Sequence, residues 1–249
     1  MVIKPIQRMF KAEIKLFLRE PFAMFFTLLF PVILLLLFGS VYGDMPISKE
    51  YRFIDTYMAS LFAMVIANLG LVSIPITLAD YRERGVLKQY QVTPVPKFAF
   101  LVVQVLVQIF MFLISAVLIL AVAELVFDLK FGGNVLIVSG FLLFSMAMLY
   151  AVGFAIGGLA STVRTAQTAG MAVFFVLFFT SGAAIPRGEF PKWLQVVTDY
   201  VPLSHVVDVT SALWMGDAIG KHTDSLILIT VLLVIALVVA KWKFRWQSS

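Results

Sequence analysis

The chain has 249 residues, of which 61% are hydrophobic and 13% charged, with a formal net charge of +5. A mean hydropathy of +1.01 lies far outside the range of soluble domains and marks an integral membrane protein, so the positive charge belongs to loops and calls for no nucleic-acid partner. The absence of cysteine excludes disulfides and thiolate chemistry.

Met1 to Glu20 is a basic amphipathic segment. Phe10, Ile14, Phe17 and Leu18 share one helical face and Arg8, Lys11, Lys15 and Arg19 another, the pattern of a helix that lies in the headgroup plane. The apolar run 22–42 follows, long enough to span and interrupted by Pro31, which should kink it. A short loop, Gly43 to Asp55, leads to a second span over 56–79, whose Asn68, Gly70, Ser73, Pro75 and Thr77 give it a polar, bendable inner half. The third span, 98–123, carries Gln104 and Gln108 on one face, placed for interhelical hydrogen bonds or for lining a path. The fourth, 135–160, carries Gly153, Gly157 and Ser161 on a small-residue stripe that lets backbones approach closely. Arg164 marks a tight turn into the fifth span, 165–185, which makes those two spans antiparallel neighbours.

Between 186 and 216 the pattern changes. Pro191 to Tyr200 places Trp193, Val196, Val197 and Tyr200 on one face; Pro202 breaks it, and Ser204 can cap a second short helix ending near Met215. Each piece is about half a bilayer core in length, which fits either a re-entrant hairpin or an ordinary external loop with two surface helices. The last span, 225–240, ends in Lys241, Lys243 and Arg245 with Trp242 and Trp246 as interfacial anchors. Assigning loops to alternate sides puts 13 of the lysines and arginines, from Lys4 to Arg245, on one side and Lys49, Arg52, Lys130, Arg187, Lys192 and Lys221 on the other. That asymmetry places both termini in the cytoplasm. The expectation is an all-α, six-span, multi-pass protein of the cell membrane, forming a single transmembrane domain over 1–249.

The longest charged interruption on the basic side runs from Asp80 to Lys97 and contains Arg82, Glu83, Arg84, Gly85 and Lys88, then Pro94 and Pro96. Gly85 and the two prolines argue against a continuous helix through it. Two readings stand: a solvated basic loop that orients the protein, or a docking element that receives force from a soluble partner.

Enzyme chemistry is missing. Gly216 to His222 falls one residue short of a phosphate-binding loop, has His222 where Ser or Thr should meet magnesium, and follows a helix. His205 and Asp208 are at most half a metal site, and a cap or interface pair is the simpler role. Span interiors contain no Asp, Glu, Lys or Arg, and no inverted repeat is evident, whereas proton- or sodium-coupled carriers generally need such features. The economical energy source is an ATPase acting from the cytoplasm.

Taken together, Arg19-Glu-Pro21, Phe30-Pro31, Phe38-Gly39, Tyr81 to Lys88, Thr93-Pro94, Gly157-Gly158, Ser181-Gly182, Phe190-Pro191, Pro202-Leu203, Trp214 and Gly216 resemble, in order and spacing, the permease subunits of ABC-2 type transporters. The resemblance implies a homodimer or pseudo-dimer with two ATPase subunits docked from the cytoplasm, ATP and magnesium being held by those subunits and no cofactor by this chain. It implies an interfacial connecting helix over 1–19, with Arg8, Phe10, Lys11, Ile14, Lys15 and Phe17 forming its two faces. It makes Arg82, Glu83, Arg84, Gly85 and Lys88 the ATPase-coupling turn and 186–216 the external re-entrant helices. The candidate substrate path follows Asn68, Ser73 and Thr77 of the second span and Thr180 and Ser181 of the fifth. The function implied is outward movement of an amphipathic, drug-like, lipid or lipid-linked substrate. The alternatives are a membrane scaffold or sensor subunit that transports nothing, or a secondary transporter.

Overall fold

The computed structural model describes residues 3–86, 97–184 and 190–243. Lys88, Thr93, Pro94, Pro96, Arg187, Arg245 and Trp246 lie outside them. Among the described residues six helical segments are long and apolar enough to cross a membrane: Phe25–Tyr42, Phe53–Glu83, Ala99–Phe127, Val135–Leu159, Val163–Thr180 and Ile219–Trp242. We label the helices α1 (Ile3–Phe17), α2 (21–42), α3 (Phe53–Glu83), α4 (Lys97–Phe127), α5 (Val135–Leu159), α6 (Val163–Thr180), α7 (Lys192–Thr198), α8 (Pro202–Trp214) and α9 (Thr223–Lys243).

The bundle is built around α3. Its most apolar stretch is 78% buried inside the protein, against 11% for the last span, so α3 is the core and α9 presents most of its surface outward. Because α3 meets other helices all round, Tyr57 to Ala67 is buried without a break and the apolar residues form no single stripe. The fourth and fifth spans are separated by only 160–162, yet α3 wedges between them on the basic side, and α5 packs most extensively on α9 and on α3. The tight turn therefore straddles the end of α3.

Two of the spans contain a π turn, Phe25–Leu29 in α2 and Leu69–Ser73 in α3. In each, the residue after the turn donates to a carbonyl five positions back, Phe30 to Phe25 and Ile74 to Leu69. The residue after that is a proline, Pro31 or Pro75, with no N–H to continue the ladder. The expected kink at Pro31 thus takes the form of a widened turn just before it. Freed carbonyls find other neighbours. Thr27 O accepts from Ser115 Oγ of α4 at 2.6 Å. Gly153 of α5 and Gly170 of α6 close on the carbonyl oxygens of Gly70 and Leu71 so tightly that a Cβ at either position would overlap the oxygen. The small-residue stripe on α5 is the seat of this π turn.

The opposite, less basic end is knitted by α8. Pro202 begins α8, where a missing N–H costs nothing, and Val201 takes the cap position; Ser204 lies within the helix with its hydroxyl buried. This corrects the expectation that Ser204 caps α8. Trp214 is buried between Phe62 and Phe131, and its Nε1 donates to Lys130 O at 3.0 Å. The preceding α7 is different: Trp193, Val196, Val197 and Tyr200 all point outward and are 45–77% exposed.

Two outcomes are expected. Gly153→Ala should lower stability by about 1–3 kcal/mol through overpacking, while Gly140→Ala, with no atom within 4 Å of an added Cβ, should be neutral or slightly stabilising; thermal unfolding in one detergent compares them. In variants that retain one tryptophan, lipid-borne quenchers should quench Trp193 strongly and spare Trp214. Quenching of Trp193 by aqueous iodide alone would mean that α7 is a solvated surface helix.

Candidate functional site

On the basic side, α1 lies along α4, with Ile6, Met9, Phe10 and Ile14 packed on the core, Phe17 buried and Phe10 edge-on to Phe110. Arg8, Lys11 and Lys15 face outward. Leu18, expected on the apolar face, is 49% exposed. The apolar register of α1 also contains a carboxylate. Glu13 is buried and accepts a hydrogen bond from the Tyr81 hydroxyl at the end of α3. Burial pushes the Glu13 carboxyl above its ordinary value of 4.5, opposed by the hydrogen bond from Tyr81 and a weaker pull from the Gln104 amide. Tyr81 in turn packs on Phe100, so one buried carboxyl joins α1 to α3 beside α4.

The next two residues hold the tight turn between α5 and α6. Arg82 is buried, and its guanidinium donates to Ala160 O at 2.7 Å and Gly157 O at 3.0 Å, the last carbonyls of α5. Glu83 is exposed, and its carboxylate accepts from Val163 N at 2.7 Å, the first N–H of α6. A cation therefore sits on a helix C-terminus and an anion on a helix N-terminus, each opposite to the local end of the helix dipole. Thr162 completes the α6 cap by accepting from Thr165 N at 3.1 Å. Arg84 turns outward and pairs with Asp80 at 2.8 Å. Gly85 closes α3 with φ +70°, a conformation that favours glycine.

Of the four described residues of the expected coupling turn, Arg84 and Gly85 are thus free of the bundle, Glu83 is accessible while bonded to α6, and Arg82 is spent inside. Spacing carried a sign of this, because Ile74, Leu78 and Arg82 recur every four residues on the buried face of α3. Glu13 was detectable the same way, in register with Met9, Phe10 and Phe17.

Deeper in the bundle a cavity of ≈ 480 Å³ opens between α2, α3 and α6. One wall is polar, with Asn68, Ser73 and Thr77 of α3, Thr27 of α2 and Gln167 of α6; another carries Phe26, Met171, Phe174 and Phe175. Glu20 stands at its basic-side end. Both π turns border it, since Phe26 and Thr27 come from one and Val72 and Ser73 from the other. Ser73 Oγ accepts from Gln108 Nε2 at 2.9 Å, the interhelical role expected for that amide. Thr180 and Ser181 are not in the lining: their hydroxyls donate within the chain to Val176 O and Phe178 O. Gln167 and Thr27 had no distinguishing sequence signal, because single polar residues in apolar runs are common.

The remaining candidates are structural. His205 bridges Ser225 Oγ at 2.9 Å and Asp199 O at 3.0 Å, tying α8 to the start of α9. Lys221 pairs with Asp217 at 2.8 Å and holds that carboxyl below its usual range.

The sequence profile of the ABC-2 type transporter family matches residues 5–215. The chain is 24% identical over 159 residues to the "Probable multidrug ABC transporter permease YbhR" of Escherichia coli K12, covering 64% of this chain and 43% of that protein. It is 22% identical over 202 residues to the "Putative transport permease YvfS" of Bacillus subtilis 168, covering 80% and 81%. The chain thus spans less than half the length of the YbhR protein it matches.

Raising the Glu13 pKa means that the folded protein keeps a proton the unfolded chain releases, between 4.5 and the raised value. Stability from this group is full below that window and is lost as pH rises through it. Glu13→Gln, which keeps an acceptor for Tyr81 and cannot ionise, should therefore gain on the wild type as pH is raised from 4.5 to neutrality. Parallel melting curves across that range would refute the buried-carboxyl assignment.

Proposed function

The chain belongs to the ABC-2 type transporter family, and from that premise we propose that it is the membrane-spanning permease of an exporter whose ATP is hydrolysed by separate subunits. The observation that carries the reading is the cavity, whose lining combines amides and hydroxyls, mostly from α3, with the rings of Phe26, Phe174 and Phe175. An amphipathic molecule needs both: hydrogen-bonding groups to orient its polar end and apolar surface to hold its body. At ≈ 480 Å³ the space is drug-sized, and the name of the Escherichia coli relative, "Probable multidrug ABC transporter permease YbhR", supports the same class.

Force enters at the basic side, which the charge asymmetry assigns to the cytoplasm. Two ATPase subunits dock on a pair of permeases, one near each turn 82–85. A push on Glu83 is delivered to the first turn of α6, whose next turns carry Gln167, Met171 and Phe174 into the cavity. Arg82 delivers the same motion to the end of α5. The cavity lies between the first and fifth spans, the face a second copy covers, so the dimer encloses a shared path leading outward. In the membrane α7 lays its exposed face in the outer leaflet.

Vesicles containing the permease and its ATPase test the proposal. Outward transport that depends on ATP supports it; ATP hydrolysis without movement of any amphiphile would favour the scaffold reading. Counting fluorophores bleached per particle in the same vesicles should give two copies, and single steps throughout would remove the dimer. Glu83→Ala removes both the acceptor and the charge from α6, at a cost of about 0.3–1 kcal/mol to that helix end, and should lower transport per ATP hydrolysed several-fold. Glu83→Gln keeps an acceptor and should fall between. Unchanged coupling in both variants would mean that Glu83 serves the fold alone.

A further inference from the structure

The chemical class of the cavity's occupant can be narrowed by its charge, an argument that rests on the cavity being the transport site. Among its described lining residues one is charged, Glu20. The side chain lies three residues beyond the end of α1 at Phe17, where the chain turns into α2, and it is solvent-accessible. Among the described residues its carboxylate makes no hydrogen bond or ion pair. Among the described cations, Arg84 lies within electrostatic reach but is engaged by Asp80 at 2.8 Å, and the neighbouring Arg19 is exposed and outside the lining. The rest of the described lining adds no positive charge: its polar groups are the neutral amides of Asn68 and Gln167 and the hydroxyls of Thr27, Ser73 and Thr77. Amide oxygens and hydroxyls can turn their acceptor sides toward a cation, and Phe26, Phe174 and Phe175 offer ring faces that attract one.

We infer that the cavity selects amphiphiles carrying a single positive charge, with Glu20 as the residue that sets the preference. A cation on an apolar body places its charge at the basic-side end beside Glu20 and its body against α6. An anion of the same shape meets Glu20 with like charge and finds no cation among the described lining residues to replace its lost water. The preference is moderate, because Glu20 is solvated and keeps part of its field screened. Preference and transport are separable: the carboxylate chooses among occupants, while movement depends on α3 and α6.

The test uses the full chain in nanodiscs without the ATPase, with two probes of nearly equal size and shape and opposite charge, tetraphenylphosphonium and tetraphenylborate. Each is titrated separately, with empty nanodiscs of the same neutral lipid subtracted. The wild type should bind the cation about tenfold more tightly than the anion, the order expected of one screened charge pair with aromatic support. Glu20→Gln should collapse the ratio toward one, and Glu20→Asp, which keeps the charge, should retain most of it. Equal wild-type affinities, or a preference that survives Glu20→Gln, would overturn this inference and leave the cavity as a charge-blind transport site. If neither probe binds above empty nanodiscs, and cavity substitutions such as Phe175→Ala leave transport unaltered, this inference falls together with the reading it rests on.

Discussion

The structure depends on how the two ends of one buried helix are held. At the less basic end of α3, Arg52 donates to Phe127 O at 2.8 Å and Asp128 O at 2.7 Å, the last carbonyls of α4. Asp55, fully buried one turn on, accepts from Lys130 N at 2.9 Å and from Arg52 N at 2.8 Å. At the basic end Arg82 and Glu83 do the equivalent work on α5 and α6. In both places an arginine satisfies the carbonyls of a neighbouring helix and an adjacent acid satisfies an N–H just beyond it. Each such charge-assisted hydrogen bond is worth about 1.5–3 kcal/mol where it is sheltered, and removing one partner strands the other. Apolar packing between helices in lipid has little directional preference, because lipid tails are as apolar as the side chains. The polar clamps supply the register that packing alone leaves loose.

Between its clamped ends α3 is deliberately imperfect. The π turn Leu69–Ser73 and Pro75 interrupt the hydrogen-bond ladder at the level of the cavity, and the glycines of α5 and α6 close on the carbonyls exposed there. A π turn with its neighbouring proline is a place where a helix can change shape at modest energetic cost, and such turns concentrate at functional sites. The matching turn in α2 borders the same cavity from the other side. Two softened spans thus face one space, with a regular helix, α6, as the third wall.

How much of this was legible in the sequence follows from the kind of signal each feature leaves. The spans are long apolar runs bounded by charge, and their number is readable because a bilayer fixes the length. Pro31 and Pro75 announced a break, but not that it would be a π turn, since the same proline can kink a helix in several ways. Arg82, Glu83 and Arg84 read together as a solvated turn because consecutive charges normally mark one; the four-residue recurrence from Ile74 shows why the first of them points inward. Glu13 leaves a weak signal for the opposite reason, being one carboxylate among many cations on a segment whose apolar face is already defined by Phe10, Ile14 and Phe17. Thr180 and Ser181 looked like path residues on composition, but a hydroxyl in a helix can satisfy itself on its own backbone, and theirs do.

The position of the clamps relative to the soft turn has a mechanical consequence. A rigid helix pinned at both ends transmits displacement along its axis, and a helix with one compliant turn converts part of that displacement into bending there. In α3 the compliant turn lies about ten residues, or roughly 15 Å at 1.5 Å per residue, from the basic-side clamp. The clamp grips the ends of α5 and α6, whose glycines Gly153 and Gly170 seat the π turn from both sides. On the proposed function, motion applied at 82–85 would have two routes to the cavity, along α3 itself and through the two helices that hold its soft turn. Under the proposed function, bending α3 against them would shift Asn68, Ser73 and Thr77 relative to Phe174 and Phe175 across the cavity. On that proposal, a molecule lodged between the two walls would have its hydrogen bonds and its apolar contacts changed together, which is what converting a held molecule into a released one requires.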